Sequence, residues 1–455
     1  MKETADARFD KAVAENEKVE RLLEEVSGTP RWIRVLTWII RITVGGLFLF
    51  SGFTKGIDPW GTIYKITDYF SALGIALWPA LGVAASFMLS IAEFLCGIFL
   101  LTGSFRRFSP WFAALFMVVM LPLTLWIAFA NPVEDCGCFG DALKISNWAT
   151  FRKNVILSVG IVWLIIYNRK TGWLIRPALQ WLGVVASGAY LLLIALIGYN
   201  YQPLIDFRPF PVGSVLVADH TDGSEFTFIY ERDGERREFS ETDELPDESE
   251  GWTFVDRIEK RNDSKASAET TESDFRIWDT EDEEDVTEDV LGTADQLLVL
   301  VPDLSEMSAA YIWKLNSLQE WSVSHEVDMM MILSGSKEEI AEWEDLAMAS
   351  YPIYSADDTS IKELARGNPA LVFLRNDTIR WKGSLSTIAA EHIEGTGKEV
   401  YKEPMQFAHD DRRVLLNISA IYLAIMAAVC FLSFSPSYAR IFNMRPLRRR
   451  ARRHS

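Results

Sequence analysis

The sequence predicts a membrane protein in two parts: an all-α bundle of about six spanning helices, and an acidic α/β domain held outside the bilayer. Three observations carry that reading. Six apolar runs are long enough to cross about 30 Å of hydrocarbon. Many of the 16 Trp and 27 Phe sit at the ends of those runs, where interfacial belts form. The chain's formal net charge of −18 is matched by a stretch, roughly 205 to 410, crowded with Asp and Glu. Length alone, 455 residues, would have suggested two or three soluble domains.

Residues 1–32 are charged and helix-prone, with no apolar core or cleavage site of a leader peptide, so they read as a cytoplasmic segment before an uncleaved signal anchor. The apolar runs fall at 33–54, 75–102, 109–130, 148–168, 178–199 and 413–436. The first four make a unit over 33–170. The fourth is the least clean, because Arg152 and Lys153 must snorkel or force a tilt.

Basic residues set the orientation. Arg31 and Arg34 precede the first run, Arg106 and Arg107 divide the second from the third, and Arg169, Lys170 and Arg176 follow the fourth. Arg445 to Arg453 lie in the basic tail 437–455. The positive-inside rule puts all four clusters in the cytoplasm. Segments 55–74, 131–147 and 200–412 then face outward, against the vote of Arg152 and Lys153. The expected location is a bacterial cytoplasmic membrane with both termini inside. The tail reads as a topology anchor that can also meet anionic lipid.

In the outward domain, 206–255 reads as a small β subdomain of alternating strands (SVLVADHT, EFTFIYERDGERREFS, WTFVDRIEK) with turn chemistry at Asp233-Gly234. The acidic stretch 256–290 reads as a largely flexible linker of solvated charge. From 291 to 400 the pattern is βα: QLLVLVPD a strand, SEMSAAYIWKLNSLQEWS a helix, VDMMMILS a strand, KEEIAEWEDLA a helix, then a hairpin of NPALVFL and TIRWKGSLS. That is the thioredoxin order. A working thioredoxin places Cys-x-x-Cys after the first of these strands, where a helix dipole lowers a thiol pKa. Here the sequence is Pro302-Asp303-Leu304-Ser305-Glu306-Met307, so thiol exchange by this domain is excluded. Asn368-Pro369 matches the place of that fold's cis-proline, and is a candidate partner-binding edge. Retention of the domain for packing alone stands beside that reading.

The sharpest motif is Cys136-Gly137-Cys138, on the loop after the third run. Two cysteines one residue apart can close a small, strained ring, more easily reduced than a relaxed bridge. Redox cycling, a static loop staple and a pair of metal ligands all use the same residues, although no His or further Cys lies nearby. The other thiols, Cys96 and Cys430, sit by topology near the inner ends of their helices and read as packing residues. Arg41, Lys55 and Glu93 are ionisable residues in or beside apolar runs. Such charges pair or line a polar site. An Arg41–Glu93 ion pair between the first two helices is one expectation, and the same two residues lining a quinone or proton site is the other.

These residues also carry a resemblance. Arg41-x-x-x-Gly45-Gly46, Ser51-Gly52-x-x-Lys55, Ala92-Glu93 with Gly97, Leu100-Leu101-x-Gly103, and Cys136-Gly137-Cys138-Phe139-Gly140 make residues 35 to 170 similar to the DoxX superfamily, in particular its MauE-like branch. With DFRPFPVG at 206–213 and the thioredoxin-like region, the whole arrangement is similar to bacterial DoxX-type proteins. The resemblance implies maturation or redox handling of disulfides in extracytoplasmic thiol proteins, and quinone as a cofactor. Two functions therefore compete. One is a membrane thiol–disulfide oxidoreductase whose catalytic pair is Cys136 and Cys138. The other is a non-enzymatic scaffold whose outer domain binds a partner. No metal and no nucleic-acid partner is expected.

Overall fold

The computed structural model describes residues 28–131, 133, 136–216, 225–232, 235–240, 253–260, 275–282, 284–291, 295–389, 393 and 411–434. It divides into a helical unit and a unit spanning Pro209–Lys382. The expected N-terminal segment before residue 28 and the basic tail 437–455 lie outside the described residues.

Six helices are long and apolar enough to cross a membrane. They are α1 (Arg31–Ile57), α3 (Pro79–Thr102), α4 (Ser109–Ala130), α5 (Asn147–Tyr167), α6 (Gln180–Asn200) and α11 (Asp411–Phe434). Each matches one expected run, with one shifted start. The second run begins in sequence at 75, but its helix begins at Pro79, a residue suited to the first helical turn. Gly74, at φ +72°, turns the chain just before it.

The segment 55–74 holds an additional helix, α2 (Pro59–Ala72). Its start is written in Asp58-Pro59: the Asp58 side chain accepts from the Gly61 N–H at 3.0 Å, and Pro59 needs no donor there.

α1 and α3 pack unusually close. A Cβ placed on Gly52 would lie 2.4 Å from the Phe94 nitrogen, and one on Gly97 would lie 2.5 Å from the Leu49 nitrogen. Small residues let the backbones touch, which substitutes in lipid for the missing hydrophobic drive. Val44, Phe48, Leu100, Met117, Leu157 and Ile161 fill the core that α1 and α3 share with α4 and α5. α6 and α11 are joined by polar contacts. Ser187 Oγ meets Tyr422 Oη at 2.9 Å, Tyr190 Oη meets Ser419 Oγ at 3.0 Å, and the two tyrosine rings stack at 4.1 Å.

The second unit contains two sheets. One is three-stranded in the order β2-β1-β3, built from β1 (Glu225–Arg232), β2 (Glu235–Ser240) and β3 (Thr253–Lys260), with Arg232 paired to Glu235 across the hairpin. Most of the expected strand SVLVADHT lies outside the described residues, apart from a bridge between Val215 and Thr378.

The other sheet has the order β4-β7-β6-β5-β8-β9. Its strands are β4 (Trp278–Asp279), β5 (Asp295–Val301), β6 (Asp328–Leu333), β7 (Ile353–Ser355), β8 (Ala370–Arg375) and β9 (Thr378–Ser384). β5 runs parallel to β6, β6 parallel to β7, and β8 antiparallel to β5. The helices between them are α7 (Thr287–Val290), α8 (Ile312–Ser324), α9 (Lys337–Ala347) and α10 (Asp358–Leu364). All of β5 except its first residue is buried, as its unbroken apolar run requires. The βα reading passed over β7 and α10, which separate α9 from the hairpin. Both are short, and Asp357 caps α10 by accepting from Thr359 and Ser360.

One expectation is corrected. The described parts of the stretch 256–290 are not a connector of solvated charge. Residues 253–260 belong to β3, and Phe275, Ile277 and Leu291 are buried in the core with Leu298, Ile332 and Val372. The acids alternate with apolar anchors here, and Asp285 is held by Arg276 and Thr287 at 2.7 and 2.6 Å. Only 261–274 and 283 of that stretch lie outside the described residues.

The α1–α3 contact generates a test. Gly97→Leu is expected to cost about 1–3 kcal/mol or more by overpacking. Gly46→Ala, whose Cβ would meet nothing within 4 Å, is expected to be neutral. Unfolding in mixed micelles titrated with sodium dodecyl sulfate reads both; equal behaviour of the two variants would contradict the close crossing.

Candidate functional site

The loop between α4 and α5 carries the two cysteines at the end of the bundle where α1 finishes. Gly137 stands at φ +60°, a left-handed conformation natural to glycine, and Gly140 at φ +55°. This turn brings the Cys136 and Cys138 sulfurs to 2.9 Å, unbonded and in hydrogen-bond contact. A disulfide would bring them to about 2.05 Å, so closing the ring needs only a small movement.

The loop is held by its carbonyls. Lys55 Nζ donates to the Cys138 carbonyl at 2.8 Å, to Ser51 Oγ at 2.7 Å and to Glu93 Oε2 at 2.7 Å. Its three N–H donors are thereby used. Ser51 Oγ lies 2.7 Å from Glu93 Oε2 and 2.6 Å from the same Cys138 carbonyl. The Tyr69 hydroxyl donates to the Cys136 carbonyl at 2.6 Å. Both side chains of the Lys55–Glu93 ion pair are 5% exposed. Removing one partner of such a buried pair typically costs about 3–5 kcal/mol.

Glu93 thus pairs with Lys55, and the expected Arg41–Glu93 ion pair is not formed. The antiparallel register set by Gly52 and Gly97 puts Glu93 opposite Ser51. Arg41 is about ten residues earlier on α1, or about 15 Å away at 1.5 Å per residue. It is fully buried, and donates to the Leu100 carbonyl at 2.8 Å, Thr171 Oγ1 at 2.9 Å and the Gly172 carbonyl at 3.0 Å. Its ring contact is Trp38, at 4.1 Å. Asn368 and Pro369 belong to the other unit. They precede β8, where Asn368 Nδ2 donates to the Asp303 carbonyl at 2.7 Å. Their peptide bond is cis. Cys96 is buried in an apolar cluster and Cys430 packs against another.

The cysteines open onto a cavity of about 730 Å³, counting its mouth. Cys136, Cys138, Lys55, Lys65, Glu93 and Lys153 give it a polar wall. The rest is apolar, with Phe48, Phe116, Met117, Met120, Leu123 and Leu157. Sequence reasoning missed Lys65 and Tyr69 of α2, whose legible signal was the Asp58-Pro59 helix start. In the sequence Lys153 stands out only as a charge in a spanning helix and a dissent from the orientation. Its ammonium sits 4.1 Å over the Phe139 ring, so the charge has an attractive partner.

Residues 33–167 match the family described as methylamine utilisation protein MauE. The membrane bundle is MauE-like. Residues 224–261, which contain the three-stranded sheet, match a domain of unknown function (DUF8463). No curated protein and no solved structure matches the chain. The MauE-like match covers the bundle that presents Cys136 and Cys138, and leaves the six-stranded sheet outside it.

The two thiols are unequal. Cys138 is pushed down to about 6, chiefly because its sulfur accepts the Cys136 hydrogen bond; burial opposes this, and Lys153 and Lys55 assist it. Cys136 is pushed up by donating that bond and by burial. In the reduced protein Cys138 is therefore expected to titrate well below the ordinary thiol range in iodoacetamide alkylation followed by peptide mass spectrometry. Cys136→Ala removes the donor and should raise that midpoint by about one pH unit or more. An ordinary thiol midpoint in the wild type would contradict the asymmetry.

Proposed function

We propose that this protein is a membrane thiol–disulfide redox component that oxidises thiol proteins outside a bacterial cytoplasmic membrane. The observation that carries the reading is the pair of sulfurs at 2.9 Å, held by their backbone, in two residues that line a cavity. In the oxidised pair, a client thiolate attacks Cys136 sulfur and Cys138 leaves as thiolate. A low-pKa thiol is the better leaving group. A second client thiolate then attacks the client sulfur of the mixed disulfide and releases Cys136. The client gains one disulfide, and the pair takes up its two electrons. Returning the pair to the disulfide passes two electrons and two protons to an acceptor in the membrane. The DoxX resemblance implies quinone, which when bound accepts both. The cavity fits such a group in chemistry, with an apolar wall facing thiols and cations.

The topology supports an outward client. Arg106 Nη1 donates to the Arg169 carbonyl at 3.0 Å, so the loops with basic clusters meet at one end of the bundle. Cys136 and Cys138 are at the other end. α6 starts at the basic end, where Gln180 Oε1 accepts from the Phe105 N–H, and Asn200 ends it at the cysteine end. Positive-inside orientation then makes the cysteine end the oxidising face.

A second reading is a scaffold in which a thioredoxin-like outer domain binds a partner and the cysteines staple their loop. It is favoured by the Asn368–Asp303 contact, which ties the turn before β8 to the turn after β5, where that fold binds peptides.

Trapping thiols in living cells with acid and a mass-tagging alkylator separates the readings. Wild type is expected to show a mixed population that shifts toward the dithiol when quinone is depleted, while Cys136→Ser shows no shift. A pair locked in one state under every condition would remove the redox reading and leave the scaffold.

A further inference from the structure

Among the described residues, Lys153 is the cavity cation whose N–H donors are left open. Lys55 spends all three donors on Ser51, Glu93 and the Cys138 carbonyl. Lys153 has the Phe139 ring at 4.1 Å and, among the described residues, no hydrogen-bond acceptor and no carboxylate. An ammonium on a spanning helix is costly unless it finds a partner. A ring face meets the charge but leaves its N–H donors unused.

Those donors line a cavity whose other walls are Phe48, Phe116, Met117, Met120, Leu123 and Leu157. The space opens at its mouth beside the two cysteines, so an elongated apolar molecule can enter it from one side. The matching molecule is apolar over most of its surface and carries an acceptor oxygen at one edge. Multiply charged soluble oxidants fail the first condition, since burying them against phenylalanine and methionine strips their water.

We propose that Lys153 is the binding residue for a lipid-soluble quinone, donating to a carbonyl oxygen and holding the head group in this cavity against Cys136 and Cys138. The choice of quinone among apolar acceptors rests on the redox reading above. The balance is complete: the two thiols lose two protons and two electrons as their S–S bond forms, and the quinone becomes the quinol. The assignment moves the quinone site from Arg41, which bonds the Leu100 carbonyl, Thr171 and Gly172 at the other end of α1, to α5.

The test uses the full chain in lipid nanodiscs, with both cysteines changed (Cys136→Ser, Cys138→Ser) so that binding is read apart from turnover. Decylubiquinone binding is followed by quenching of tryptophan fluorescence. Lys153→Met is expected to weaken binding about tenfold or more, and Lys153→Arg to stay within about threefold. Met120→Trp, which fills the apolar wall, is expected to abolish it. Arg152→Met, on the exposed side of the same helix, is expected to change nothing.

Unchanged binding in Lys153→Met overturns the proposal, as does a wild-type isotherm competed equally by oleate, which would mark a lipid pocket. Absent quinone binding with thiols that still cycle in cells overturns this assignment and leaves the redox reading intact. Quinone binding that needs Lys153, with thiols that never cycle, supports the site and removes the redox reading.

Discussion

The helical unit depends on one buried ion pair. Lys55 and Glu93 sit 2.7 Å apart in the interior of an apolar bundle, where neither charge is affordable alone. Glu93 fixes α3, Lys55 fixes α1, and the remaining donors of Lys55 reach Ser51 and the Cys138 carbonyl. Two helices and a loop thus share one electrostatic centre. Tyr69 of α2 adds a second hold at the Cys136 carbonyl. Both holds grip peptide oxygens. The sulfurs can change bonding partners while the clamp stays made, which a loop fixed through its side chains would not allow.

Arg41 does a different task with the same economy. It is fully buried, yet its partners are two carbonyls and a hydroxyl. These join the end of α3 to the turn at Thr171 and Gly172. A guanidinium offers several donors in a fixed plane, so it can collect the unsatisfied carbonyls that accumulate at helix ends. α1 therefore carries two polar centres about 15 Å apart. One organises the basic end of the bundle and the other the cysteine end, with a glycine-packed crossing between them that excludes polar groups.

Much of this was legible in the sequence. The six spanning helices followed from length and apolarity, and the MauE-like bundle from its glycine, lysine and cysteine spacing. Lys55 and Glu93 were visible as costly charges, but their pairing was not. Which charges meet depends on helix register, and the register is set by the faces on which Gly52 and Gly97 happen to lie. α2 escaped because its mixed composition gives neither a spanning run nor a clean amphipathic stripe. In the other unit, the acids around Phe275 and Ile277 outvoted the apolar anchors between them. Average composition cannot see that a few large side chains suffice to dock a strand.

Gly137 explains why the motif must be read as three residues. Two cysteines one residue apart in an extended chain share a face, but at about 3.3 Å per residue their Cα atoms stand about 7 Å apart. At φ +60° the chain doubles back, the sulfurs meet at 2.9 Å and both residues line one cavity. A side chain there would strain the backbone, and its Cβ would also meet Lys65 Cγ at 3.0 Å. The glycine therefore serves the dithiol twice, by conformation and by clearance. It brings two cysteines into contact at 2.9 Å on the wall of one cavity. Lys153 and the apolar wall line the same cavity, so the turn that brings the two sulfurs together also sets them beside both.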